Sequence, residues 1–257
     1  MITSSDNKNV KYVAKLLTKA KERRNEDVYI VEGPRMFSEA PSEDIVKVFV
    51  SEDYKGDTGR LTSLGDDIVE YVSGDVFRKM TDTLTPQGIL CIMKQKHYDL
   101  KEILPALPEK PIIMLLENLQ DPGNLGTIMR TAEGAGVSLV LMSKDTVDLY
   151  NPKTVRSTMG SIYRVPFIYT DDIKGSIEQI KKLGIPCFAA HLKGKRAYYE
   201  ADYSNGACFF IGNEGNGLTD ETAGLADEYL IIPMEGKLES LNAAVSAALF
   251  MYKAKEG

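Results

Sequence analysis

The spacing of apolar positions divides the chain into two parts, each alternating strand-like and helix-like segments. In the first, Val10, Val13, Ala14, Leu17 and Ala20 recur at helical spacing within Asn9–Arg23, which predicts an amphipathic helix with most lysines off that stripe. VYIVEGPRMFSEA follows: a β-branched strand over Val28–Val31, a Glu32-Gly33-Pro34 turn and another helix. VKVFVS, DIVEYVS and ILCIMKQ predict three further strands. LPALPEKP, ending at Pro111, carries three prolines, which neither continue a helix nor join an interior ladder, and so predicts the linker. Beyond it, PIIMLLENL is a continuous apolar run of the kind that forms strands buried on both faces. SLVLMS, VPFIYT, PCFAAHL, ACFFIGN and YLIIPM predict five more strands. Helices are predicted over Gly123–Gly134, Pro152–Met159, IKGSIEQIKKLG and from about Ser240 to the end. In the last of these, Leu241, Ala244, Val245, Ala248, Leu249 and Tyr252 form the expected core-facing stripe. The alternation predicts an α/β fold with a mostly parallel sheet covered on both faces, divided into domains at 1–106 and 107–257.

Composition narrows the class. Apolar residues are 43% and charged residues 26% of the 257, the balance of an ordinary soluble globular protein. The opening MITSSDNKNVKYVAK has no apolar core of a secretory signal, and no run approaches the ~20 residues that span a bilayer. Cys91, Cys187 and Cys208 are odd in number and far apart, which fits a reduced, cytoplasmic setting without a membrane partner. With no CxxC spacing and two histidines, His97 and His191, no metal site is expected. The net charge of −6 argues against a nucleic-acid partner as an average, yet residues 1–24 hold seven basic and two acidic residues. That segment reads either as a solvated helix face or as a phosphate-binding stripe, since screening beyond roughly 8–10 Å mutes distant charges.

Three strand ends in the second part carry unusual polar residues. LLENLQDPGNLGTIMRTAEGAGV places Asn124 after an Asp-Pro-Gly turn and Arg130 six residues later; these read either as an N-cap and a surface arginine or as site residues. FFIGNEGNGL exposes backbone at Gly212, Gly215 and Gly217 around Glu214. No Gly-Lys-Ser/Thr follows, which excludes a P-loop, a GxGxxG pattern is absent as well, and the carboxylate would repel phosphate, which tilts the site away from nucleotide triphosphates. LIIPMEGKLESLNAAVSAALF leads from a strand into the last helix, with Ser240 as an N-cap and Asn242 in the first turn, or both as site residues.

Together and in this order, ENLQDPGNLGTIMRTAEGAG, IGNEGNGL and IPMEGKLESLNAAVSAAL resemble the signature of the SpoU (TrmH) group of RNA ribose 2'-O-methyltransferases within the SPOUT superfamily, over roughly residues 111–254. The first hundred residues resemble, less sharply, an L30e-like RNA-binding domain, its mark being YIVEGPRMFSEA after a basic helix. The resemblance implies a SPOUT domain with a deep trefoil knot, S-adenosylmethionine bound in the knot's loops, and a homodimer that completes the site. By motif position it implies that Gly212, Ile232 and Leu241 contact the cofactor and that Asn124, Arg130, Glu214, Ser240 and Asn242 are the catalytic and structuring set. Lys8, Lys11, Lys15, Arg23, Arg35, Arg156 and Ser157 are the candidates for RNA contact. It implies RNA as the substrate, 23S ribosomal RNA ahead of transfer RNA; a non-catalytic RNA-binding protein that kept the fold is the alternative from another class.

The residues suit that chemistry. A sulfonium methyl is already electrophilic, so the difficulty lies in aligning a weakly acidic ribose hydroxyl and stabilising the developing alkoxide. Arg130 offers a fixed charge; because a guanidinium holds its proton firmly, it is a charge stabiliser in preference to a base. Glu214 is expected to orient Arg130 or to accept from a bound nucleoside, the two asparagines to hold the register, and Ser240 to contact phosphate at the start of the final helix.

Overall fold

The structure is a computed structural model that describes every residue except Asp66 and Gly257. Two compact units are present, residues 1–96 with 148–163, and residues 97–147 with 164–257.

The first unit is built on four strands, β1 (Val28–Glu32), β2 (Ile45–Ser51), β3 (Val69–Val72) and β4 (Ile89–Lys94), in the order β1-β4-β2-β3. β4 is antiparallel to both neighbours and β3 runs parallel to β2. The expected N-terminal helix is two, α1 (Lys8–Thr18) and α2 (Ala20–Glu26), because Lys19 takes an extended backbone at φ −121° and ψ 106°. Val10, Val13 and Leu16 face the core, so the stripe is rotated from the predicted one and Ala14 is exposed. Helices α3 (Pro34–Glu39), α4 (Gly59–Leu64) and α5 (Gly74–Lys79) complete the part before β4.

The unit's last piece comes from the middle of the sequence. Residues 148–163, expected with the second domain, pack here through an aromatic and two charged anchors. The Tyr150 ring lies 4.6 Å from that of Tyr29, and its hydroxyl accepts from Lys96 N at 2.7 Å. Asp148 holds Arg23 at 2.6 Å, and Arg156 pairs with Asp82. The expected boundary at 106/107 differs for a similar reason: Leu100, Ile103, Leu104 and Leu107 pack on the second unit's core, and Tyr98 lies edge-on to Phe167 at 5.5 Å.

The second unit has seven strands, β5 (Ile112–Leu116), β6 (Leu139–Ser143), β7 (Phe167–Thr170), β8 (Cys187–Ala190), β9 (Arg196–Ala197), β10 (Ala207–Ile211) and β11 (Glu228–Ile231). Their order is β7-β6-β5-β10-β8-β11-β9, and every pairing is parallel. Alternate side chains serve opposite faces. Ile113, Leu115, Cys208 and Phe210 share a cluster with Ile177 and Ile180 of a helix over Ile173–Lys182. On the strand β10 Phe209 points the other way, to Phe250, ring to ring at 5.2 Å. Each such fully buried side chain contributes about 1.5–3 kcal/mol.

The final helix spans Ala243–Glu256 and lies along another over Pro122–Ala135. Its buried residues are Ala243, Ala244, Ala247, Phe250, Met251 and Ala254, while Val245 and Tyr252, expected in the core, are 49% and 48% exposed. Small residues set the packing: alanines seat the helix closely, and that turns Val245 outward. At the far side of the sheet the chain crosses itself. β8 and β9 flank β11, so the short connection between them passes over it. At Gly194 a Cβ would lie 2.7 Å from Leu230 C and 2.8 Å from Ile231 N, which a side chain could not tolerate.

Candidate functional site

Parallel register brings the C-terminal ends of β5, β10 and β11 to one edge, where open parallel sheets bind ligands. Each end runs into one of the three polar turns.

The first turn is set by capping. Asn118 leaves β5 in the left-handed region at φ 59°, its N–H donating to Ser143 Oγ at 2.8 Å. Asp121, ahead of Pro122, is the N-cap of the 122–135 helix and accepts from Asn124 N at 2.8 Å. Asn124 is therefore one turn in, with its amide free for another partner. In the second turn, Asn213 and Gly217 exchange backbone hydrogen bonds of 3.0 and 2.9 Å. Gly212 is obligatory, since a Cβ would lie 2.1 Å from Gly217 C. In the third, Asn242 and not Ser240 caps the last helix, its Oδ1 accepting from Ala244 N at 2.9 Å and Val245 N at 3.3 Å.

Side chains tie these turns together. Asn242 Nδ2 donates to Asn124 Oδ1 at 2.9 Å, and Asn124 Nδ2 donates to Glu214 Oε1 at 3.0 Å. Glu214 also accepts from Asp121 N at 3.0 Å and Gln120 N at 3.1 Å. Partial burial pushes the Glu214 carboxyl up, but the donors from Asn124, Gln120 and Asp121 outweigh it and hold the group below its ordinary pKa. It stays an anion that fixes the geometry.

Arg130 is placed elsewhere. Glu214 does not pair with it, and among the described residues Arg130 has no hydrogen-bond or ion-pair partner; it is exposed. Helix geometry explains this: six residues beyond Asn124 is about 9 Å along the axis and about a third of a turn around it. Ser240 is exposed and likewise unpartnered among the described residues, while Ile232 and Leu241 are half-buried at either end of the third turn.

Two structuring residues escaped the sequence reading. Glu117 is buried and accepts from Thr219 N at 2.7 Å, from Thr219 Oγ1 at 2.8 Å and from Thr222 Oγ1, which fastens the exit of the second turn to the end of β5. Asn213 Nδ2 donates to Asn118 O at 2.8 Å. The available signal was Glu117 itself, a carboxylate ending a wholly apolar strand, which must be paired if buried.

The cofactor that the resemblance implies fits this edge. Gly212 is half-buried at the start of the second turn, and over residues 234–241 no backbone N–H among the described residues is engaged. Gly212, Ile232 and Leu241 would hold it there, chiefly by backbone.

The basic candidates divide. Lys8 and Lys15 are exposed, Lys11 is exposed and paired with Asp6 at 2.8 Å, and Arg35 is 62% exposed with Glu39 at 3.6 Å. Arg156 is held by Asp82, and the Ser157 hydroxyl donates to Lys153 O at 2.9 Å. Arg23 must be corrected: its side chain is 3% exposed, donating to Leu16 O at 2.7 Å and to Asp148 at 2.6 Å. It serves the fold and is unavailable to an RNA.

Residues 111–252, containing all three turns, match the sequence model of the SpoU rRNA Methylase family. The chain belongs to the SpoU rRNA methylase family. In this SpoU methylase, residues 7–91 also match an MRM3-like substrate binding domain. The chain is 34% identical over 253 residues to the 23S rRNA (guanosine(2553)-2'-O)-methyltransferase RlmP of Bacillus subtilis, covering 98% of this chain and 97% of that one. It is 28% identical to the 23S rRNA (guanosine-2'-O-)-methyltransferase RlmB of Neisseria meningitidis, over 71% and 74% of the two chains. Its structure resembles that of an AdoMet-bound rRNA methyltransferase from Sinorhizobium meliloti, with a TM-score of 0.88, 28% identity and coverage of 99% and 97%. Among the described residues of this SpoU methylase no helix is long and apolar enough to cross a membrane.

Proposed function

We propose that this SpoU methylase transfers the methyl group of S-adenosylmethionine to a ribose 2'-hydroxyl of 23S ribosomal RNA, in the cytoplasm. The observation that carries the reading is the Asn242–Asn124–Glu214 chain of hydrogen bonds, which gathers three distant turns beside the unengaged backbone N–H groups of residues 234–241. The cofactor, when bound, supplies an electrophilic methyl on a sulfonium. The residues do the rest. Glu214 and the two asparagines keep the loops in register, so that the hydroxyl and the methyl can be aligned. Arg130 stabilises charge as it develops on the ribose oxygen. Ser240, in the open turn before the last helix, donates its hydroxyl to the substrate phosphate.

Arg130 lies on an outward face, so the reading includes a homodimer in which the site is completed across the interface. Exposed Val245 and Tyr252 on the last helix support such an interface. The crossing at Gly194 supports a trefoil knot. The first unit, residues 1–96 with 148–163, takes the role of RNA-binding domain and the second that of the methyltransferase.

The test has two arms. Calorimetric titration with S-adenosylmethionine should show binding, and 2'-O-methyl mapping of RNA from cells with and without the gene should show one position lost from 23S ribosomal RNA. No heat of binding, or a lost position in transfer RNA only, contradicts the reading.

A further inference from the structure

Methyl transfer leaves the side-chain amide of Gln120, in the first turn, without a task. The residue is exposed, and its own backbone N–H donates to Glu214 at 3.1 Å, so it stands beside the chain of hydrogen bonds that gathers the turns. The amide is held one way round. Nε2 donates to Asp145 O at 2.8 Å, to Asn118 O at 3.2 Å and to Asn118 Oδ1 at 3.3 Å, and carbonyl oxygens such as these only accept. A flipped amide would set oxygen against oxygen, so Oε1 is turned away from these partners. Among the described residues nothing donates to it.

The support is fixed as well. Asn118 takes the left-handed backbone at φ 59°, a conformation that asparagine tolerates, and the bend aims the N–H groups of Gln120 and Asp121 at Glu214. Asn118 N donates to Ser143 Oγ and Val147 N to Leu119 O, both at 2.8 Å, which pins the first turn to the end of β6. The Gln120 carbonyl is therefore a preset acceptor on a rigid base.

Its place along the edge says what it meets. In the strand order β6-β5-β10-β8-β11, Gly212 and Ile232 follow β10 and β11, to one side of β5. Gln120 leans to the other side, toward Asp145 just past β6. Strands lie ~4.8 Å apart, so β6 and β11 are separated by roughly 19 Å. With the cofactor on the β10–β11 side, the nucleotide that receives the methyl enters from the β5–β6 side. Asp121, Asp145 and Glu214 make that rim acidic, which opposes a phosphate, and the ribose is placed at the methyl. The base is the part of the nucleotide left to meet Gln120. We infer that Gln120 Oε1 accepts a hydrogen bond from the base of the nucleotide whose ribose is methylated, as a substrate-orienting contact. Each RNA base carries an N–H donor on its Watson–Crick edge, so the contact orients the nucleotide without choosing among the four. The inference rests on the function proposed above. The adenine of the cofactor carries a similar donor, its 6-amino group, and is the competing source.

The experiment uses the full-length protein, S-adenosylmethionine labelled in its methyl group, and two RNA fragments spanning the mapped position, one native and one abasic at the methylated nucleotide. Gln120→Lys keeps a donor for Asp145 O and Asn118 O, removes the acceptor and adds a charge that by itself favours RNA. Its KM for the native fragment should nevertheless rise about 10-fold, the scale of a base donor left unpaired, while its calorimetric affinity for S-adenosylmethionine stays unchanged. On the abasic fragment the variant and the native protein should have the same KM, the coupling expected when the amide acts on the base. If Gln120→Lys does not fold, Gln120→Met, which lacks the acceptor without the added charge, gives the same comparison. An unchanged KM for the native fragment, or the same 10-fold loss on the abasic one, overturns the inference. So does weaker S-adenosylmethionine binding at unchanged KM for RNA, which assigns the amide to the cofactor's adenine. Absent S-adenosylmethionine binding by the native protein would contradict the function proposed above, a result distinct from all of these.

Discussion

The two units answer differently to the same question, whether a charged residue in a suggestive pattern is there for chemistry. In the second unit Glu214, an acid in a glycine-rich turn, is hydrogen-bonded by three residues of the distant first turn and stays ionised. In the first, Arg23, a base in a run of bases, is buried against Leu16 O and Asp148. A charge run says only that charges are present. A polar residue at the end of a buried parallel strand is constrained by where the strand must stop. Patterns tied to strand ends therefore predict sites better than patterns tied to net charge.

The largest effect expected from testing that contrast is on folding. Arg23→Ala leaves Asp148 without its partner and should cost about 3 kcal/mol, at the low end for a broken buried pair because Asp148 is a quarter exposed. Urea denaturation measures it, and the folded variant should bind RNA as the native protein does. Weaker RNA binding at unchanged stability would return Arg23 to the RNA face.

Next is catalysis. Arg130→Ala should reduce turnover by at least ~100-fold with S-adenosylmethionine affinity near normal, as for a lost charge stabiliser. Retained turnover in a single-turnover assay removes Arg130 from the mechanism.

A smaller effect concerns pH. The Glu214 pKa is depressed in the folded protein, so its contribution to stability is fully present above the ordinary carboxyl pKa and is lost as pH falls through the folded value. Native protein should lose stability below about pH 4.5 more steeply than Glu214→Gln, as read from urea midpoints at pH 7 and pH 4. Parallel pH profiles would mean that the hydrogen bonds to Glu214 do not bear on folding.

The smallest is electrostatic. Reversing Lys8, Lys11 and Lys15 should weaken RNA binding and flatten its dependence on salt. An unchanged slope would make α1 a solvated face.

Much of this architecture could be read from residues. Strands such as IIMLL and ACFFI are buried on both faces, so they appear as unbroken apolar runs, and the polar turns stand out at their ends. What could not be read depends on partners far along the chain. Arg23 is buried because Asp148 reaches it from 125 positions away, and residues 148–163 join the first unit through Tyr150 and Tyr29, none of which a local pattern records. The last helix begins at Ala243 because Asn242 is taken as cap and as donor to Asn124, whereas local preference serves Ser240 equally. β9 is two residues long and has no periodicity to find.

The most direct measurement of the central claim uses S-adenosylmethionine labelled in its methyl group, the full-length protein and 23S ribosomal RNA, followed by alkaline hydrolysis. Methylation of a 2'-oxygen blocks cleavage at the adjoining phosphate, so the label should appear in an alkali-resistant dinucleotide and be absent with Arg130→Ala. Label recovered in mononucleotides, which places the methyl on a base, or equal labelling by the variant, contradicts the account.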